Sequence, residues 1–128
     1  MPALEPVEAV RVVATPAAID AARWVGDDVD VIRIAPDEAL GLGATGIDVP
    51  GDPDAIIEPE AGFAVALLDT DALYGVRDHI DWVVPDEPGT LAQGKIAGVP
   101  ARLVTGDRAL LVVHVAYADE LERRLGWR

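Results

Sequence analysis

The run Gly94-Lys-Ile-Ala-Gly-Val-Pro-Ala-Arg-Leu-Val104, the turn Thr105-Gly106-Asp107, the segment Arg108-Ala-Leu-Leu-Val-Val-His-Val115 and the tail Ala118-Asp-Glu-Leu-Glu-Arg-Arg-Leu125 decide the fold. Leu91–Val104 reads as a strand, kinked at Gly98-Val99-Pro100, because proline cannot donate to a ladder and belongs at an edge or bulge. Ala109–Val115 reads as a buried return strand, apolar on both faces. The tail has helical spacing, with Ala118, Leu121 and Leu125 on one side. Asp119 can meet Arg123, and Glu120 can meet Arg124, at i,i+4. Acids open this helix and arginines close it, which suits the helix dipole. The whole segment is a strand-and-helix frame and carries no recognisable catalytic pattern.

Upstream, the same reading gives alternating strands and helices. Residues 1–8 form a loose lead-in, and Ala9–Ala14 a short valine-rich strand. Thr15-Pro16 starts a helix, with Thr as cap and Pro at the first helical position, running to about Val25. Val29–Ala35 is a strand, turned at Pro36-Asp37-Glu38 into a second one, Ala39-Leu-Gly-Leu-Gly43. A long loop, Gly43 to Asp54, carries Asp48, Asp52 and Asp54 without the spacing of a calcium loop. Ala55–Glu58 is a short strand or helical turn, and Pro59–Gly62 a turn. Phe63–Leu68 is an apolar strand, and Asp69 or Thr70 caps a helix with Leu73, Val76 and Ile80 inward. The order defines an α+β class: a mostly antiparallel sheet covered by helices, in a single domain over residues 1–128.

Composition narrows function by exclusion. The chain has 128 residues, 51% hydrophobic, and a formal net charge of −13. Such acidity opposes binding to nucleic acid or to anionic membrane surfaces, which need displaced counterions and basic residues. It favours a basic partner, or serves solubility alone. No apolar run approaches the ~20 residues of a membrane helix. No secretory leader is apparent, and cysteine is absent, which removes disulfides and thiol chemistry and fits a cytoplasmic location. Serine is absent too, so no serine nucleophile exists.

The remaining candidates are single residues. His114 shares a strand face with Leu110 and Val112 and reads as a hydrogen-bonded structural imidazole; His79 ends a helix. The two lack metal-ligand spacing, so no metal site is expected. Gly41 and Gly43 leave one strand face bare, where a ligand or another backbone can approach. Lys95 is the one lysine against nine arginines, and can meet an anion. Arg33, Arg77 and Arg102 lie in or beside ordered elements and can grip a carboxylate bidentately. The weak ligand-binding set is Arg33, Gly41, Gly43, Lys95 and Arg102, with structural salt bridging as the competing reading. Trp127, near the chain end, either packs on the core or anchors a partner.

Four segments resemble a known family. Val31-Ile-Arg-Ile-Ala-Pro-Asp-Glu38, Phe63-Ala-Val-Ala-Leu-Leu-Asp-Thr-Asp-Ala-Leu73, Leu91-Ala-Gln-Gly-Lys-Ile-Ala-Gly-Val-Pro-Ala-Arg-Leu103 and Tyr117-Ala-Asp-Glu-Leu-Glu-Arg-Arg-Leu125 resemble the gamma subunit of heterotetrameric sarcosine oxidase and the folate-binding aminomethyltransferase-like proteins. The likeness spans residues 29–125. It implies an aminomethyltransferase-like fold with ferredoxin-like elements, tetrahydrofolate as the associated cofactor, and a part within a larger folate-linked oxidase. No folate-contacting or catalytic position of the family maps onto a residue here. The expectation is a non-catalytic module docking to a protein partner or to itself; the alternative is a stand-alone small-ligand or folate-binding protein. An enzyme of unrecognised type, resting on His114 or His79, is a third.

Overall fold

The computed structural model describes residues 2–127. Its elements are β1 Glu5–Val13, α1 Pro16–Ala21, β2 Arg23–Val25, β3 Asp30–Ala35, β4 Glu38–Leu42, β5 Gly46–Asp48, β6 Ile56–Leu68, α2 Thr70–Arg77, β7 Leu91–Ile96, β8 Val99–Val104, β9 Ala109–His114 and α3 Val115–Arg124. All strand pairs described below are antiparallel, so the α+β class with an antiparallel sheet and helices is observed. The chain packs as two compact units. One takes the chain through Pro6 and resumes at Gly62; the other is Val7–Ala61.

In the Val7–Ala61 unit, β3 and β4 form the expected hairpin, with Ala35 opposite Glu38. β1 lies on the other side of β4, Ala9 opposite Leu42. The strand begins at Glu5, inside the stretch expected to be a loose lead-in. Thr15 caps α1 as its sequence suggests, its Oγ1 accepting from the Ala18 N–H at 3.3 Å. The helix ends at Ala21, short of Val25, because Ala22 turns to extended backbone. Arg23–Val25 then forms β2, which pairs with β5 inside the long loop, Trp24 opposite Ile47. Asp52 braces that loop: its Oδ2 accepts from the Thr15 N–H at 3.0 Å and its Oδ1 from the Asp54 N–H at 2.9 Å. Pro59 does not break the chain, since β6 runs through it. A small core of Val12, Ala14, Ala18, Ile19 and Ala39 is covered by Trp24, Ile47 and Val49.

In the unit that resumes at Gly62, the strands lie in the order β6-β9-β8-β7. Segment 91–104 is not one kinked strand. Ala97 and Gly98 both take positive φ, 50° and 79°, the geometry of a two-residue hairpin turn whose twist matches the strands it joins. The chain therefore reverses, Ile96 facing Val99 and Lys95 facing Pro100. β9 pairs with β8 over Arg102–Val104, so Pro100 lies beyond that pairing and its missing N–H costs no bond there.

One face of this sheet carries Ala64, Ala66, Leu68, Leu103, Leu111 and Val113 against Val76 of α2 and Leu121 of α3. Asp69 caps α2 through the Ala72 N–H at 2.8 Å. Leu73, Ile80, Leu125 and Trp127 pack on the same core. Thr105, 4% exposed, ties the 85–90 segment down: its Oγ1 donates to the Glu87 carbonyl at 3.2 Å and its carbonyl accepts from the Gly89 N–H at 2.6 Å.

Two predictions follow from this packing. A Cβ at Gly41 would overlap Cε3 and Cζ3 of Trp24. Alanine removes a backbone-entropy cost of roughly 0.5–1 kcal/mol, but overpacking costs about 1–3 kcal/mol, so Gly41→Ala lowers stability in denaturant titration. On α3, Glu120 accepts from Arg124 Nε at 2.7 Å and Arg123 Nη2 at 2.8 Å. The Arg124 hydrogen bond first, and then the charges of Arg124 and Arg123, hold its carboxyl below its ordinary 4.5. That contribution is present above the unfolded value and lost as pH falls through the folded one. The melting-temperature gap between wild type and Glu120→Gln, open at neutral pH, closes on acidification.

Candidate functional site

Two of the five ligand candidates come together. Lys95 and Arg102 line one open groove of about 390 Å³, with Phe63, Gln93, Pro100, Val112, His114 and Tyr117. Strand register explains the convergence. Gln93 faces Arg102 and Lys95 faces Pro100 across β7–β8; Arg102 faces Val112 across β8–β9; Phe63 faces His114 across β6–β9. Residues directly opposite or two apart share a face, so four strands deliver these side chains to the face opposite the Ala64–Leu111 core.

The groove is unusual in its charges. The Arg102 guanidinium lies 5.5 Å from the centroid of the Phe63 ring, in cation–π contact. Its Nε is buried and has no hydrogen-bond partner among the described residues. Neither Arg102 nor Lys95 has a described carboxylate in ion-pair range. In a chain with 23 acids and 10 basic residues, one apolar floor thus carries two cations without a carboxylate partner among the described residues.

His114 sits at the rim as the N-cap of α3. Its Nδ1 accepts from the Ala116 N–H at 3.1 Å, which leaves the proton on Nε2. The hydrogen-bonded imidazole read from the sequence is thus present, in a capping role. Its ring meets Tyr117 edge-on, centroids 6.3 Å apart at 67°. The groove can hold an anion and cover an apolar body; it presents a guanidinium, an ammonium, a carboxamide, an imidazole N–H and a phenol.

The other three candidates are engaged elsewhere. Arg33 donates to Asp20 Oδ1 at 2.8 Å, to the Pro16 carbonyl at 3.2 Å and, through Nε and Nη2, to the Pro36 carbonyl at 3.2 and 2.9 Å. That set of bonds joins α1 to the β3–β4 turn and occupies the guanidinium. The bare face of Gly41 is filled by Trp24. Gly43, at φ 84°, closes β4 and donates its N–H to the Glu8 carbonyl at 2.7 Å. Arg77, at the end of α2, is not part of the groove wall. No group of three or more His, Cys, Asp or Glu among the described residues is placed to hold a metal ion. No helix among them is long and apolar enough to cross a membrane.

Phe63, Gln93 and Tyr117 were not candidates from sequence, and His114 was one only as a structural or catalytic imidazole, although the period-two alternation of Phe63–Val65, Gln93–Lys95 and Val112–His114 was a usable signal. It became a site only once the Ala97–Gly98 reversal set Lys95 beside Arg102.

The fold defines an α+β module of antiparallel strands and short helices. Among solved structures it is similar to a chain of the heterotetrameric sarcosine oxidase from Corynebacterium sp. U-96, determined in complex with pyrrole 2-carboxylate; the TM-score is 0.68 at 14% identity, covering 94% of this chain and 78% of that one. At that identity the likeness is one of fold. No protein-family model matches the chain, and no curated protein matches it.

The capping geometry yields a prediction. His114→Ala removes the acceptor for Ala116 N–H and destabilises the protein by about 1 kcal/mol, the usual cost of a lost N-cap, whereas His114→Asn restores a cap. Urea titration of both variants checks this; equal losses would count against the capping role.

Proposed function

We propose that this chain is a non-catalytic module that works as a subunit or accessory of a larger assembly, of the folate-linked oxidase kind. The observation that carries the reading is the fold likeness, which takes in nearly the whole chain and most of a chain from a heterotetrameric enzyme. Two further facts support it. The chain contains no serine and no cysteine to act as a nucleophile. Val83 is 91% exposed and Tyr74 64%, apolar surface of the type that a docked partner covers.

The test is recovery of the tagged chain from its native host under mild conditions, with mass spectrometry and light scattering. The expected result is a stoichiometric flavin-containing companion. A monodisperse chain without a companion, showing turnover of its own, would overturn the reading.

A second reading, a stand-alone small-ligand or folate-binding protein, is favoured by the groove holding Lys95 and Arg102. Calorimetry with tetrahydrofolate on the isolated chain separates the two, because the first reading does not require binding by this chain alone.

A further inference from the structure

We propose that the groove over Phe63 binds a small organic carboxylate carried on a flat apolar ring, with Arg102 and Lys95 as its charge partners. The inference deepens the small-ligand reading and rests on the groove; it holds whether the chain works alone or in an assembly.

Arg102 supplies the first argument. It is a half-buried cation whose Nε reaches neither solvent nor an acceptor. A buried donor without an acceptor is unfavourable, and the face of Phe63 compensates only in part. A carboxylate is the group that a guanidinium fork fits best. Several other arginines already have one: Arg11 holds Glu38 at 2.7 Å and Glu58 at 3.3 Å, Arg33 holds Asp20, and Arg124 holds Glu120; Arg77 shares the orphaned Nε of Arg102 but does not line the groove. Arg102 lacks one among the described residues, although acids outnumber bases by more than two to one.

The second argument is the wall. Phe63, Pro100, Val112 and Tyr117 give the groove an apolar lining, which a hydrated inorganic ion would not use. Its volume of about 390 Å³ lies in the range of roughly 300–1,000 Å³ usual for organic ligands. A ring carrying a carboxylate satisfies both halves: its charge meets Arg102 and Lys95, and its face lies on the lining. His114, with its proton on Nε2, adds a neutral donor at the rim. The hollows bordered by Asp69 and Asp107 are lined by carboxylates and do not offer this combination.

The test is a heteronuclear NMR titration of the full chain with sodium benzoate, beside benzamide and inorganic phosphate. Benzoate should give saturable shifts at the amides of Gln93, Lys95, Arg102 and His114. Benzamide, which keeps the ring and loses the charge, and phosphate, which keeps the charge and loses the ring, should each bind at least about tenfold more weakly. Arg102→Gln should weaken benzoate by at least about tenfold. Lys95→Gln, at an exposed position that leaves folding intact, should weaken it several-fold. Absence of saturable shifts in the groove, equal binding of benzamide, phosphate as tight as benzoate, or an unaffected Lys95→Gln variant would each overturn the proposal. Because the shifts are read at the groove itself, their outcome is separate from whether tetrahydrofolate binds or a companion subunit exists.

Discussion

The burial of β9 is the constraint on which the second half of the chain depends. Ala109, Leu110, Leu111, Val112 and Val113 are all 4% exposed or less, so the strand is covered on both faces and paired on both edges, by β6 and β8. A strand so placed has no freedom of register, since a slip of one residue would exchange its two faces. Everything nearby inherits that fixity. His114 is the first exposed residue after the buried run, and it stops the strand by capping α3. Leu121 of that helix, fully buried, then closes over Leu111 and Val113. Val112 and His114 of the groove stand on this buried strand, and Phe63 and Arg102 on the two strands paired with it, a favourable foundation for a binding site.

A second device recurs in both units: a tryptophan laid across a strand glycine. Trp24 covers Gly41, and Trp82 covers Gly94 while its Nε1–H donates to the Lys95 carbonyl at 2.8 Å. Glycine weakens a strand by leaving nothing to pack, and the indole restores the missing contact with a large apolar surface. The bare face at Gly41 was visible in the sequence; its occupant was not. Trp24 belonged by its spacing to the end of the first helix, and only the early stop at Ala21 and the pairing of β2 with β5 carry it over Gly41.

Much of the fold was legible because local chemistry and tertiary packing agree. Thr15-Pro16 and Asp69 cap helices as their side chains dictate. The Pro36-Asp37-Glu38 turn makes its hairpin, and the stripe of Ala118, Leu121 and Leu125 faces the core. The errors fell where local signals were ambiguous. Gly98-Val99-Pro100 suggested a kink because proline drew attention, while the reversal lies one residue earlier, at an alanine with φ 50°, a conformation alanine adopts only when the flanking strands impose it. Pro59 suggested a break inside what is one 13-residue strand. Of the candidate site, Lys95 and Arg102 could be named singly, but their meeting depends on that hairpin, which pairing alone determines.

The electrostatic pattern separates structural charge from functional charge. In so acidic a chain an arginine that stabilises the fold has carboxylates or carbonyls within reach, and Arg11 and Arg33 show what that looks like: the Arg11 guanidinium is held more strongly protonated, first by its hydrogen bond to Glu38, and Arg33 is saturated by one carboxylate and two carbonyls. Arg102 is half-buried and, like Arg77, has a buried Nε without a partner among the described residues, but it alone of the two lines the groove. Its one described interaction is the contact with the Phe63 ring, and its buried Nε goes without an acceptor, so the fold gains little from a cation at that position. A strand arginine without a described carboxylate, set beside the chain's one lysine and above an aromatic face, is better explained by what enters the groove than by what surrounds it.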